Sequence, residues 1–218
     1  MKTRREAIRL LLSAGAGIAA FFFAAGAGLR FVYAEVKKRL LPRGTRMNTL
    51  VDEDPAHLDT RQLDVTPMAE FDTMGQTNYS ISAENWRLAV DGAVDRPTSF
   101  TYAELTAMPA IERSVLLICP GFFAYNGRWK GVSVKGLLAG AGMSAGANAV
   151  EFHGPEHPRE RSARFDLEEI LSDRVFLAYE VNGKTLPQRH GFPMRLVAED
   201  HYGGRWIKYV YRISVVDS

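Results

Sequence analysis

The 218-residue chain contains a single cysteine, Cys119. One thiol cannot close an intramolecular disulfide, so the chain does without the staple that exported proteins commonly use. It also lacks internal repeats and low-complexity tracts, which excludes a repeat architecture. Positive charge is missing where a nucleic-acid surface would need it: residues 47–218 carry 17 Lys or Arg against 23 Asp or Glu, net −6. The overall charge of +2 and the pI near 8.7 are set by residues 1–46, which hold ten Lys or Arg and two Glu, net +8. No nucleic-acid partner is expected for the acidic part.

What the chain does have starts with its leader. Arg4-Arg5 stands before an uncharged stretch from Leu10 to Leu29, the pattern of a twin-arginine export signal, with Ala7 where that signal usually has phenylalanine. Such a route moves folded proteins. The stretch is long enough to span a bilayer as one hydrophobic helix, which takes roughly 20 residues. Val32-Tyr33-Ala34 offers a late cleavage site, but Lys37-Lys38-Arg39 follows it, and a retained anchor is the expectation. The cations after the stretch favour a cytoplasmic C-terminal side, yet large domains translocate largely regardless of charge. The chain therefore divides into residues 1–34 as signal or anchor, 35–82 as a polar tether or wrapping arm, and 83–218 as one domain. The expected location is the periplasm or the outer face of the cytoplasmic membrane.

Within the domain, local signals alternate between strands and short helices. Trp86–Val90 alternates and ends at Asp91-Gly92, a strand and turn. Thr101 and Glu104 form a capping box for a short helix that Pro109 ends, and Asp166 with Glu169 forms another. Ser133–Leu138 reads as a helix, and Ala149–His153, Met194–Ala198 and Trp206–Val216 read as strands. Phe176–Val181 meets Asn182-Gly183, a strong hairpin signal. Short helices among many strands indicate an α+β fold with a predominantly β core of mixed sheets.

Val115 to Ile118 is apolar throughout and reads as a buried strand that delivers Cys119 to the turn at Pro120-Gly121. The end of a strand is where a side chain can face a cleft. By position Cys119 is a small core hydrophobe, a nucleophile or a ligand for a soft metal.

The combination Leu186-Pro187-Gln188-Arg189-His190-Gly191-Phe192-Pro193-Met194-Arg195, followed by Gly203-Gly204-Arg205-Trp206-Ile207-Lys208, with Cys119 and Gly127-Arg128-Trp129-Lys130 upstream, resembles the molybdopterin-binding domain of the sulfite oxidase family. The resemblance runs from about Trp86 to Ser218. It implies a molybdenum cofactor-dependent oxidoreductase that carries out two-electron oxygen-atom transfer, on a small sulfur or nitrogen oxide compound. It also implies that Cys119 is the metal ligand and catalytic residue, and that His190, Arg195, Trp206, Ile207 and Lys208 contact the pterin and its phosphate. Thr77-Asn78-Tyr79-Ser80 resembles the segment that periplasmic methionine sulfoxide reductases of the family place against the cofactor, which adds Asn78 and Tyr79. These residues also have plainer readings: Arg195 lies between Met194 and Leu196, so alternation points it outwards, and Asn78 and Tyr79 are ordinary turn residues.

After Cys119 the chain reads Pro120-Gly121-Phe122-Phe123, which offers no fixed positive charge to an anion such as sulfite. That segment and the His153–Arg164 loop, with His157, Arg159 and Arg161, are the expected substrate lip. With no haem-binding or dimerisation segment expected, electrons are exchanged with a membrane haem protein or a cytochrome c. Two other classes stay open: a Cys–His hydrolase using Cys119 with His153, His157, His190 or His201, and a non-catalytic module of the same fold.

Overall fold

The computed structural model describes residues 37–75, 77, 79–155 and 161–217. The expected N-terminal helix and its anchor lie outside them. Among the described residues no helix is long and apolar enough to cross a membrane.

The first strands are short: β1 (Arg39–Leu40) pairs in parallel with β2 (Leu58–Asp59). The domain proper has two five-stranded sheets. The first is antiparallel and runs β10 (Lys184–Thr185), β9 (Val175–Val181), β6 (Phe123–Ser133), β5 (Ala110–Cys119), with β11 (Arg195–Ala198) also on β9. The second runs β4 (Thr98–Thr101), β3 (Arg87–Gly92), β12 (Arg212–Asp217), β7 (Ala147–His153), β8 (Ser162–Asp166). There β3 and β12 are parallel and the other pairs antiparallel. Three short helices complete the fold: α1 (Tyr102–Ala107), α2 (Val134–Ala141) and α3 (Leu167–Leu171). The described chain is thus mostly β-sheet with short helices, as expected.

The local signals act as their chemistry dictates. Glu104 accepts the Thr101 backbone N–H at 2.7 Å while Thr101 Oγ1 accepts that of Glu104 at 3.1 Å, the capping box of α1. Asn182 (φ 53°) and Gly183 (φ 75°) both take the left-handed conformation that a two-residue hairpin turn requires. One expected strand is shorter than its sequence suggests. Trp206 to Tyr211 is irregular, and β12 starts only at Arg212. Tyr209 sits at φ 58°, unusual for a bulky residue, and this bend breaks the extended run beside Lys208.

β5 explains its own uninterrupted apolar run. Side chains alternate faces along a strand, so Val115 and Leu117 join the main core, which draws on both sheets. Leu116 and Ile118 face the other way and pack with Leu41, Leu50, Leu58, Leu63 and Ala124. The segment 41–63 therefore covers the outer face of β5 and β6, and both faces of the strand are dry. Asn126 extends this attachment: buried in β6, its amide donates to the Leu63 carbonyl at 3.1 Å, and its backbone N–H donates to Thr66 Oγ1 at 3.0 Å. Leu50→Ala should destabilise the domain by about 2–4 kcal/mol, the usual cost of a buried leucine cavity. Urea unfolding followed by tryptophan fluorescence measures this.

Candidate functional site

Cys119 ends β5 where that covering stops, and it lines a cavity of about 320 Å³. Thr73, Met74, Leu117, Phe123, Tyr125, Arg161, Arg195, Gly203, Gly204, Trp206 and Lys208 contribute the rest of the wall. Phe123 and Tyr125 come from the same face of β6, and Phe123 is the ladder partner of Cys119. Gly203 is where it is because a Cβ there would sit 3.0 Å from Leu117 Cδ2. A larger residue would push the Gly203–Arg205 turn off β5.

Arg195 is the centre of the wall. It is the first residue of β11 and only 4% exposed. The alternation that would point it outwards fails because both faces of β11 are covered. Its guanidinium lies 5.6 Å from the Trp129 ring and 5.7 Å from the Trp206 ring, two indoles that are themselves 5.6 Å apart and meet edge to face. Each indole is fixed in turn: Trp129 Nε1 donates to the Val115 carbonyl and Trp206 Nε1 to that of His201, both at 3.1 Å. One Arg195 terminal nitrogen donates to the His190 carbonyl at 2.9 Å, but its buried Nε has no partner. Gly191 (φ 111°) makes this approach possible, since a Cβ there would lie 3.1 Å from Arg195 Cβ.

His190 is 3% exposed, sits edge-on to Phe71 at 6.0 Å, and leaves Nδ1 without a partner. Burial pushes its pKa down to about 4, and Arg195, Arg189 and Lys208 push the same way. Lys208 Nζ donates to Thr73 Oγ1 at 3.0 Å and to the Met74 carbonyl at 2.8 Å. Burial, then Arg195, Arg161 and Arg189, lowers its pKa to about 8. Among the described residues no Asp or Glu lines the cavity. The wall is a set of mutually repelling cations whose present acceptors are neutral oxygens.

The remaining expected residues divide. Trp206 lines the cavity and clamps Arg195, whereas Ile207 is buried in the core and its carbonyl accepts the Leu196 N–H at 2.9 Å. Tyr79 is half-buried with its ring 4.9 Å from Tyr209, and Asn78 lies outside the described residues. Of the expected basic lip, His157 and Arg159 also lie outside them, Arg164 reaches Asn148, and Arg161 alone among the described residues lines the cavity. Arg161 donates to the Gly204 carbonyl at 2.9 Å. The cation that Pro120–Phe123 lacks thus comes from a segment distant in sequence, the loop expected to share the substrate lip.

Three contributors were missed by sequence reasoning. Tyr125 was legible as the residue two beyond Phe123, on the same face of its strand. Thr73 and Met74 carried no signal. The Cys119 thiol lies 3.2 Å from Met74 Sδ. Burial raises its pKa and Arg161 opposes that rise, and no histidine is among the groups acting on it. The Cys–His pairing of a hydrolase is therefore not formed among the described residues. Among the described residues three or more His, Cys, Asp or Glu do not converge there, so a metal held by these residues needs most of its ligands from a cofactor.

Residues 74–218 match the family model for the oxidoreductase molybdopterin binding domain. The chain belongs to that family. The molybdopterin-binding domain is 30% identical over 161 residues to the NADH nitrate reductase of Volvox carteri, a match covering 60% of this chain and 19% of that protein. It is 29% identical over 138 residues to YedZ1 of Azospira oryzae, a subunit assigned to protein-methionine-sulfoxide reduction, covering 63% of this chain and 52% of that one. The chain thus spans about a fifth to about half the length of these relatives. The sulfane dehydrogenase SoxCD of Paracoccus pantotrophus shares its fold, with a TM-score of 0.66 at 23% identity over 88% of this chain and 54% of that chain.

The cofactor of the family is molybdenum held by molybdopterin, and the wall fits such a group. A planar, anionic ligand with a terminal phosphate would meet the cations of Arg195, Lys208 and Arg161, while His190 supports this wall through its carbonyl on Arg195 and does not itself line the cavity. Without it, the buried imidazole has a sign that can be measured. The folded-state pKa of His190 is about 4 against an ordinary 6.5, so as pH falls through this window the unfolded chain takes up the proton first and folding weakens. Cofactor-free protein should lose stability between pH 6.5 and 4, and His190→Gln should flatten that slope in urea titrations at each pH.

Proposed function

We propose that the chain is a molybdenum cofactor-dependent oxidoreductase acting by two-electron oxygen-atom transfer on a small sulfur or nitrogen oxide compound. The observation that carries this is one cavity in which a thiol on a rigid strand faces a wall of cations with no carboxylate. Cys119 would hold the metal as a thiolate, a soft donor suited to a redox centre. His190, Arg195, Trp206 and Lys208 would hold the pterin and its phosphate, with the Ile207 backbone fixing the segment and with Asn78 and Tyr79 as further cofactor contacts. When bound, the cofactor supplies the two-electron redox change and the oxygen transfer.

The protein supplies placement, charge and water control. Strand β5 fixes the Cys119 sulfur because both of its faces are packed, which spares the site the entropy of an ordering loop. Leu117, Phe123 and Tyr125 make the apolar part of the wall and keep bulk water from the sulfur. Arg161 faces the same space and would orient the oxygen of a polarised substrate. The Lys208 hydrogen bonds to Thr73 and Met74 are the ones an anion would replace, so the 73–75 segment moves off when the cofactor enters.

We further propose that residues 1–34 direct the chain to the periplasm or the outer face of the cytoplasmic membrane and anchor it there. Export of a folded protein suits a domain that acquires its cofactor in the cytoplasm. Electrons are then exchanged with a membrane haem protein or a cytochrome c.

The reading is tested on protein matured in a host that makes the cofactor. Wild type should contain about one molybdenum and one pterin per chain, measured by elemental analysis and fluorescence after oxidation. Cys119→Ser should keep pterin, through the cations, while turnover of sulfoxides, N-oxides or sulfite falls by about 100-fold or more. Full turnover in the variant, or folded wild type free of metal and pterin, contradicts the reading and leaves the non-catalytic module in front.

A further inference from the structure

On the far side of Phe123 lies a second depression of about 250 Å³, lined by Met47, Val51, Thr66, Glu70, Asp72 and Phe122 among others. Phe123 lines both this groove and the Cys119 cavity. The two spaces are one side chain apart. The backbone links them as well, since the Phe122 N–H donates to the Cys119 carbonyl at 3.0 Å and the Gly121 N–H to that of Val51 at 3.1 Å.

The groove has an apolar centre and a charge of one sign. Phe122 is 69% exposed, an outlier for a residue of its size next to a buried strand, and it projects outside the Cys119 cavity. Glu70 and Asp72 line the groove, and among the described residues no Lys, Arg or His does. The surrounding segment agrees: residues 47–75 carry seven Asp or Glu against one Arg. An exposed aromatic ringed by acids is complementary to a partner with an apolar contact point ringed by lysines.

We propose that this groove is the docking surface for a small basic haem protein that exchanges single electrons with the cofactor site through Phe123. This rests on the proposed oxidoreductase function. The balance is simple: when a substrate is oxidised, water supplies the oxygen, two protons leave to solvent, and two ferric haems are each reduced to ferrous in two encounters. The reverse direction exchanges the same particles. Phe122 provides the contact that excludes water, while Glu70 and Asp72 steer the approach, which makes the association rate fall with salt.

The probe is mitochondrial ferricytochrome c, and two readouts separate this proposal from the one beneath it. Chemical-shift perturbation of the isotopically labelled protein at 10 mM NaCl needs no metal. It should map binding to residues 47–72 and 122–124, and binding should weaken at least tenfold in Glu70→Lys/Asp72→Lys and in Phe122→Ser. With cofactor-loaded, dithionite-reduced protein, stopped-flow reduction of the cytochrome should slow at least tenfold in the same variants and at 200 mM NaCl. Reduction of a small neutral dye by these variants should be unchanged. Perturbations elsewhere, a self-association that maps to this groove, unchanged cytochrome rates, or equal loss with dye and cytochrome each overturn the proposal. If metal and pterin are absent but the binding map and its variants behave as stated, docking stands and the oxidoreductase reading falls.

Discussion

The buried guanidinium of Arg195 is the constraint on which the rest of the site depends. It lies beside the adjoining indoles of Trp129 and Trp206, and among the described residues its Nε finds no partner. Two cation–π contacts contribute about 0.5–2 kcal/mol each. Taking an unpaired cation out of water costs several kcal/mol, so the indoles do not offset the burial by themselves. Adding Lys208 and Arg161 around the same space makes the balance worse. The free protein keeps a strained arrangement of charge that an anion relieves, and the depressed Lys208 pKa expresses the same fact.

The fold holds this arrangement from both sides. Strand β5 is packed against the main core through Val115 and Leu117 and against the 41–63 segment through Leu116 and Ile118. Because neither face is wet, its last residue is placed as firmly as a residue in the middle of a sheet. The Gly203 contact with Leu117 then sets how closely the Trp206–Lys208 segment approaches Cys119. Sulfur, cations and apolar wall come from four regions of the chain, and each region is fixed by burial away from the cavity.

What could be read from the sequence was what local chemistry determines. The capping boxes at Thr101 and Asp166, the Asn182-Gly183 hairpin and the apolar strand before Cys119 each depend on neighbours a few residues away. The resemblance carried by the His190–Arg195 and Trp206–Lys208 segments pointed to residues of which Arg195, Trp206 and Lys208 line one cavity with Cys119. The rest was tertiary. Alternation in β11 offered an outward Arg195 as the plainer alternative to a cofactor contact, and only the packing beside Trp129 and Trp206 shows why a cation is tolerated there. Arg161 was expected at the lip together with its loop neighbours, but nothing local set it apart from them, since loop arginines are usually solvated. The leucines at 41, 50, 58 and 63 follow no helical or strand period, so their shared destination on the outer face of β5 was invisible in one dimension. The strand expected from Trp206 failed because Tyr209 turns the chain, a conformation that nothing in its residue type suggests.

The account stands on a cavity of cations that await an anion, and the ammonium of Lys208 reports on it directly. Its titration, followed by NMR of labelled lysine in cofactor-free and cofactor-loaded protein, should give a pKa of about 8 in the first and a value raised towards or beyond the ordinary 10.5 in the second. An unchanged pKa on loading would mean that the anion lies elsewhere and that these cations serve another purpose.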